Sequence, residues 1–188
     1  MAPQPTEAWL KTMRIIWLAL FVTPVFFIAV LVIHVQSGQH DRGLGTSTES
    51  QALLFGALAA VNAMMSVIVP RRALMASIRR LDLRVEDRPG EQIGSFRESA
   101  PVRRVVADPQ AAVRAVVPVF HKTFIQGMAM AESVALLGMA IAYVGNPLPF
   151  AAPFFVVCWV LMVTKLPRVT QITGAIEAAT GAECRLGS

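Results

Sequence analysis

Glu132 is the residue whose type and place point most directly to chemistry. It lies in Gly127-Met-Ala-Met-Ala-Glu-Ser-Val-Ala-Leu-Leu-Gly138 and is the sole Asp or Glu within four apolar stretches, at about 15–35, 52–69, 124–145 and 148–166. Counted from Thr123 at about 1.5 Å per residue, it sits roughly 14 Å into its stretch, near the middle of a hydrocarbon layer about 30 Å thick. A carboxyl at that depth is costly and marks a functional site by default. The same counting puts Asn62, Thr23 and Cys158 each about eight residues from the inner end of its own stretch, so an acid, an amide, a hydroxyl and a thiol share one level. Pro24, beside Thr23, frees a backbone carbonyl to join them. We expect Asn62 and Glu132 to be neighbours. Two kinds of chemistry fit: hydrogen-bonded glue between helices, or reversible carriage of a proton or sodium ion.

The other candidates are weaker. Cys158 and Cys184 form no CxxC pair and no disulfide framework. His34 and His40 with Asp41 have the residue types of a metal site, but they fall in or beside a Gly-, Ser- and Thr-rich stretch, 36–51, that reads as a wet loop. Met64, Met65, Met128, Met130, Met139 and Met162 do not pair with one another at ligand spacings and read as apolar filler. We therefore expect no metal and no cofactor. The sequence has no HExxH, no Gly-x-Ser-x-Gly, no phosphate-cradling loop and no paired carboxylates, so an enzyme is not expected. Arg71, Arg79 and His121 at the inner surface would suit anionic lipid as well as catalysis.

Ala131-Glu132-Ser133-Val134-Ala135-Leu136-Leu137-Gly138, followed by Ile141, resembles the carboxylate-bearing helix of the rotary ATPase proteolipid, subunit c. In that family Ala-Glu-Ser or Ala-Glu-Ala precedes an apolar run and Gly-Leu, and the Glu binds the translocated proton or sodium ion. The resemblance implies that role for Glu132, with Ser133 as a secondary ligand. It covers about a dozen residues of one helix. The family's short polar connection is here about fifty residues long, its glycine-repeat helix has no counterpart between Leu53 and Val69, and two further apolar stretches are present.

Four stretches of roughly 18 residues or more are what a chain needs to cross a bilayer four times. The composition agrees: of 188 residues, 55% are hydrophobic and 15% charged, against about one-quarter charged in soluble domains. The first stretch, after Lys11 and Arg14, is too long for a signal-peptide core and lacks a small-x-small cleavage site before His34, so it reads as a retained helix. Of 17 Lys and Arg, all but Arg42 fall on one side if the N-terminus is inside, which sets both termini in the cytoplasm. Trp9 and Trp17 bracket the first helix's entry, as interfacial tryptophans do. Asn146-Pro147-Leu148-Pro149 is a turn too short for anything but an antiparallel hairpin of helices three and four.

The net charge of +5 thus reflects orientation and attraction to anionic headgroups, not nucleic-acid binding. The basic segment, 71–122, begins where Pro70 and Arg71-Arg72 end helix two. Leu74, Ile78, Leu81 and Val85 with Arg79, Arg80 and Arg84 give it an amphipathic helical pattern to Asp87. Arg88-Pro89-Gly90 breaks that helix and 91–101 is a loop. Asp108 before Pro109 is an N-cap for a helix continuing into helix three, which Pro118 should kink. On helix three, Gly127, Ala131, Ala135, Gly138 and Ala142 form a small-residue face suited to close contact within the chain or between copies.

The expectation is an all-α integral membrane protein, one membrane domain over 1–188 with four transmembrane helices, an arginine-rich helical cytoplasmic segment between helices two and three and a cytoplasmic tail, 167–188. The function expected is a non-enzymatic small subunit of a bacterial-type inner membrane. It would assemble with itself or a larger complex through helix three and the basic segment, with Arg71, Arg72, Arg79, Arg80 and Arg84 on anionic lipid or a partner. The alternative is proton or sodium translocation at Glu132.

Overall fold

An apolar run without water to serve its backbone satisfies its own N–H and C=O groups as helix, and the long stretches obey. The computed structural model describes residues 5–37, 49–89 and 102–186. Helix α1 covers Pro5–Gln36, α2 Glu49–Ile78, α3 Pro109–Tyr143, α4 Leu148–Thr164 and α5 Val169–Thr180. Strands β1, Val85–Pro89, and β2, Val102–Val106, stand between α2 and α3. Among the described residues, three helices, α1, α2 and α3, are long and apolar enough to cross a membrane; α4 passes the same test only jointly with α5 across a bend, which makes up to four spans. The link holding His40, Asp41 and Arg42 and the expected loop 91–101 lie outside the described residues, among which no cluster of three His, Cys, Asp or Glu side chains forms a metal site.

Two expectations about the inner segment are corrected. Pro70 does not end helix two, because α2 runs through it to Ile78. Proline removes one helical hydrogen bond, but the residues beyond it bury Leu74 and Ile78, and that packing carries the helix onward. The amphipathic pattern also does not stay helical to Asp87. The chain turns after Ile78, and Val85–Pro89 pairs antiparallel with Val102–Val106 in the register Val85↔Val106 to Pro89↔Val102. Spacing alone does not reveal this, since the strand is stabilised by valines well downstream.

By its contacts the chain forms two compact units, one of 1–70 with 124–167, the other of 71–123 with 168–188. In the first, α3 is the inner helix: 44% of its most apolar window is buried, against 11% in α1 and in α2. The outward faces of α1 and α2 show large apolar side chains, Phe26, Ile33 and Leu53 among them, as surfaces meeting lipid do. Along α3, Met128, Ala131, Val134, Ala135, Ile141 and Ala142 are buried, and across from them Ala151, Phe154, Phe155, Cys158 and Met162 of α4. At Gly138 the two helices approach closely; a β-carbon there would stand 2.6 Å from Cβ of Phe154. Trp17 of α1 donates its indole N–H to the carbonyl of Met162, 2.8 Å away, satisfying a carbonyl of the last turn of α4.

The second unit is built on a small core of Leu74, Ile78, Val106, Val113, Val116, Phe120, Ile172 and Ile176. Asp108 caps α3 by accepting the Ala111 N–H at 2.9 Å. Helix α5 buries Ile172, Ala175 and Ile176 and ends at Gly181, whose φ of 66° is the left-handed cap that glycine takes without strain. The tail then joins the sheet: Val105 bridges Glu183 in parallel, through Val106 N–H to Glu183 O at 3.0 Å and Glu183 N–H to Arg104 O at 2.8 Å. Cys184 is buried beside Glu177, whose carboxylate accepts its backbone N–H at 3.0 Å. Burial pushes the Cys184 thiol above the ordinary range, and the Glu177 charge adds to the effect.

Two outcomes follow. Gly138→Ala should destabilise the first unit by about 1–3 kcal/mol through overpacking, whereas Gly56→Ala, with nothing within 4 Å of its added β-carbon, should be near neutral; thermal unfolding in detergent compares them. A thiol held in its protonated form reacts slowly, so alkylation of Cys184 near neutral pH should be slower than in the unfolded chain and should accelerate as pH rises. Equal rates folded and unfolded would contradict its placement.

Candidate functional site

Helix α3 carries Glu132 midway along its buried face, half-buried itself, and two other helices of the same unit bring polar groups to it. From α1, the Thr23 hydroxyl comes near enough to the Glu132 carboxyl to interact with it; it donates to the carbonyl of Ala19, 3.3 Å away and one turn earlier in its own helix. From α4, Cys158 is fully buried, meets the backbone of Ala135 and lies within electrostatic reach of Glu132. Its Sγ is 4.0 Å from Sδ of Met162, one helical turn away.

The Thr23 hydroxyl has one proton for two oxygen neighbours. If it donates to Ala19, its contact with Glu132 requires the carboxyl to donate; if it donates to Glu132, the carboxylate accepts. A hydrogen bond between the two would thus have two arrangements that differ by one proton. That is what a buried interhelical link needs, and also what a proton carrier needs.

Asn62 is half-buried on α2, and among the described residues no hydrogen bond joins it to Glu132. Ser133 donates to the Met130 carbonyl at 2.7 Å, within its own helix. All five small residues of α3 face inward: Gly127, Ala131, Ala135, Gly138 and Ala142 are buried. Gly138 admits Phe154, and a β-carbon on Gly127 would meet Cγ of Pro70 at 3.1 Å and Cε of Lys165 at 3.4 Å. This face is engaged within the chain.

Lys165 is a polar residue that sequence reasoning counted only toward orientation. It follows α4, and its Nζ donates to the Ser66 hydroxyl at 3.0 Å; Ser66 is fully buried and donates in turn to the Ala63 carbonyl at 2.8 Å. Gly127 leaves the room for that lysine, a coincidence the linear sequence does not display. In the second unit, Arg71, Arg72, Arg79, Arg80 and Arg84 are all exposed. Arg84 lies 3.7 Å from Glu86, a surface pair of little energetic weight; the other four form no ion pair among the described residues. His121 has a buried Nε2 without a hydrogen-bond partner.

If the Thr23–Glu132 contact links α1 to α3, Thr23→Val and Glu132→Gln should be coupled by about 0.6 kcal/mol, the usual size of such bonds in membrane helices. A double-mutant cycle of unfolding in mixed micelles measures this, and strict additivity would remove the link. Compared with known protein families, with curated proteins and with solved structures, the chain matches none.

Proposed function

We propose that this chain is a four-span protein of a bacterial-type inner membrane with both termini in the cytoplasm, a non-enzymatic small subunit that assembles with copies of itself or with a larger membrane complex. In this reading the first unit is the membrane part and the second lies at the inner surface. The observation that carries it is the placement of Glu132 on the inward helix α3, half-buried and with the Thr23 hydroxyl of α1 nearby, which gives the midplane acid a local structural neighbour. The distribution of cations supports the orientation: each of the three passages of the chain between units has a basic residue just on the second unit's side, Arg71 and Arg72, Lys122, and Arg168. Such cations suit the anionic headgroups of the inner leaflet. Because the small-residue face of α3 is engaged internally, a partner meets the exposed basic unit and the outward faces of α1 and α2.

One observation favours a second reading. Glu132 is only half-buried, and its contact with Thr23 has two arrangements differing by a proton, which suits a carrier of protons or sodium ions; the local resemblance to the proteolipid helix points the same way. The readings part on water access, since a carrier needs an aqueous path to the carboxyl and a link needs it sealed. Carbodiimide labelling in native membranes between about pH 6 and 9, with and without sodium and with Glu132→Gln as control, decides between them. For the structural subunit we expect no labelling at any pH. Labelling of Glu132 that sodium or rising pH suppresses would replace that reading with ion carriage.

A further inference from the structure

Glycine inside a helix is destabilising relative to alanine unless something needs the space it leaves. Gly127 and Gly138 of α3 have close neighbours there, but a β-carbon on Gly56 of α2 would meet nothing within 4 Å. Gly56 opens instead onto a groove of about 240 Å³ on the first unit, lined along α2 by Ala59, Ala60 and Ala63 and beyond it by Val134 of α3 and Phe154 of α4. We propose, on the reading of the first unit as the membrane part, that this groove binds one acyl chain of a membrane phospholipid, lying lengthwise along α2.

Size, chemistry and depth each select that occupant. From Gly56 to Ala63 the groove follows seven residues of α2, about 10 Å at 1.5 Å per residue. A methylene group takes the room of one liquid water molecule, about 30 Å³, so 240 Å³ holds about eight of them. Eight carbons of an extended chain, each advancing about 1.25 Å along tetrahedral C–C bonds of about 1.5 Å, also span about 10 Å. Volume over length gives a width of roughly 5 Å, half that of a helix with its side chains, so a second copy could insert no more than a side chain. The lining is glycine, alanine, valine, proline and phenylalanine throughout, which gives water no hydrogen-bond partner and a headgroup nothing to hold. Pro153 and Val157, which also line it, lie five and nine residues past the start of α4 at Leu148. That is about 8–14 Å along the helix, the depth at which one leaflet of a core about 30 Å thick holds its chains. Lipid tails are as apolar as leucine, so the chain gains by close contact with the walls rather than by leaving water. The small residues of α2 are what let it approach the backbone.

The test reconstitutes the full chain in vesicles of phosphatidylethanolamine and phosphatidylglycerol that contain a phospholipid with a photoreactive diazirine midway along one acyl chain, and maps the adducts by mass spectrometry. Flotation with the vesicles checks the membrane reading by itself, and a chain that stays behind would overturn both. In a chain that floats, Pro153 and Val157 should be labelled several-fold more than Phe26 and Ile33, exposed apolar residues of α1. Gly56→Leu and Ala60→Leu each put a side chain into the groove and should bring the labelling of Val157 down to the level of Phe26. Gly56 has room for a β-carbon and Ala60 is exposed, so both variants should keep the helical circular dichroism of wild type; should one misfold, the other and the wild-type map decide. Equal labelling of Val157, Phe26 and Ile33, no change in a folded variant, or disulfide-linked dimers of Ala60→Cys forming in the vesicles in place of labelling would each overturn the assignment.

Discussion

The approach of α3 to α4 at Gly138, where Phe154 occupies the space a β-carbon would need, governs much of what surrounds it. Lipid tails are as apolar as leucine, so helices within a bilayer gain little from hiding apolar side chains from each other and depend on close packing instead. Small residues permit it. With Ala131, Ala135 and Ala142 also buried, α3 becomes the inner helix of its unit, and the neighbouring residues of α1 and α4 are drawn near enough for hydrogen bonds.

Glu132 follows from that arrangement. Its placement one residue past Ala131 on a tightly packed helix brings the carboxyl to Thr23 and to the neighbourhood of Cys158. Neither group could serve it across the wider gap that large side chains on α3 would impose. Lys165 obeys the same rule at Gly127, where the missing side chain lets its stem cross to Ser66. A lysine at a helix end ordinarily extends toward the headgroups; this one has a hydroxyl nearby and takes it.

The second unit relies on a different physical source. Its core is a small apolar cluster, and its sheet is completed by the tail, through Val105 and Glu183. Hydrophobic burial governs there, as in soluble domains, and the arginines stay outside it. Ion pairs such as Arg104 with Asp87 at 3.7 Å are exposed and add little.

By itself, the sequence determined the helices and much of their extent, because apolar length and the need to satisfy backbone groups are local properties that a window of residues displays. It also marked Glu132, since a lone acid in an apolar run stands out without any knowledge of its neighbours, and it marked the cap at Asp108, whose chemistry is confined to a few residues. What the tertiary structure decided was partnership. That α2 passes through Pro70 depends on the burial of Leu74 and Ile78; that Val85 joins a strand depends on valines more than a dozen residues later; that Thr23 meets Glu132, that Lys165 meets Ser66 and that the small face of α3 turns inward depend on which helix lies beside which. Those choices are made by the fit of side chains between distant segments, and spacing along one helix carries no record of the surface it will meet.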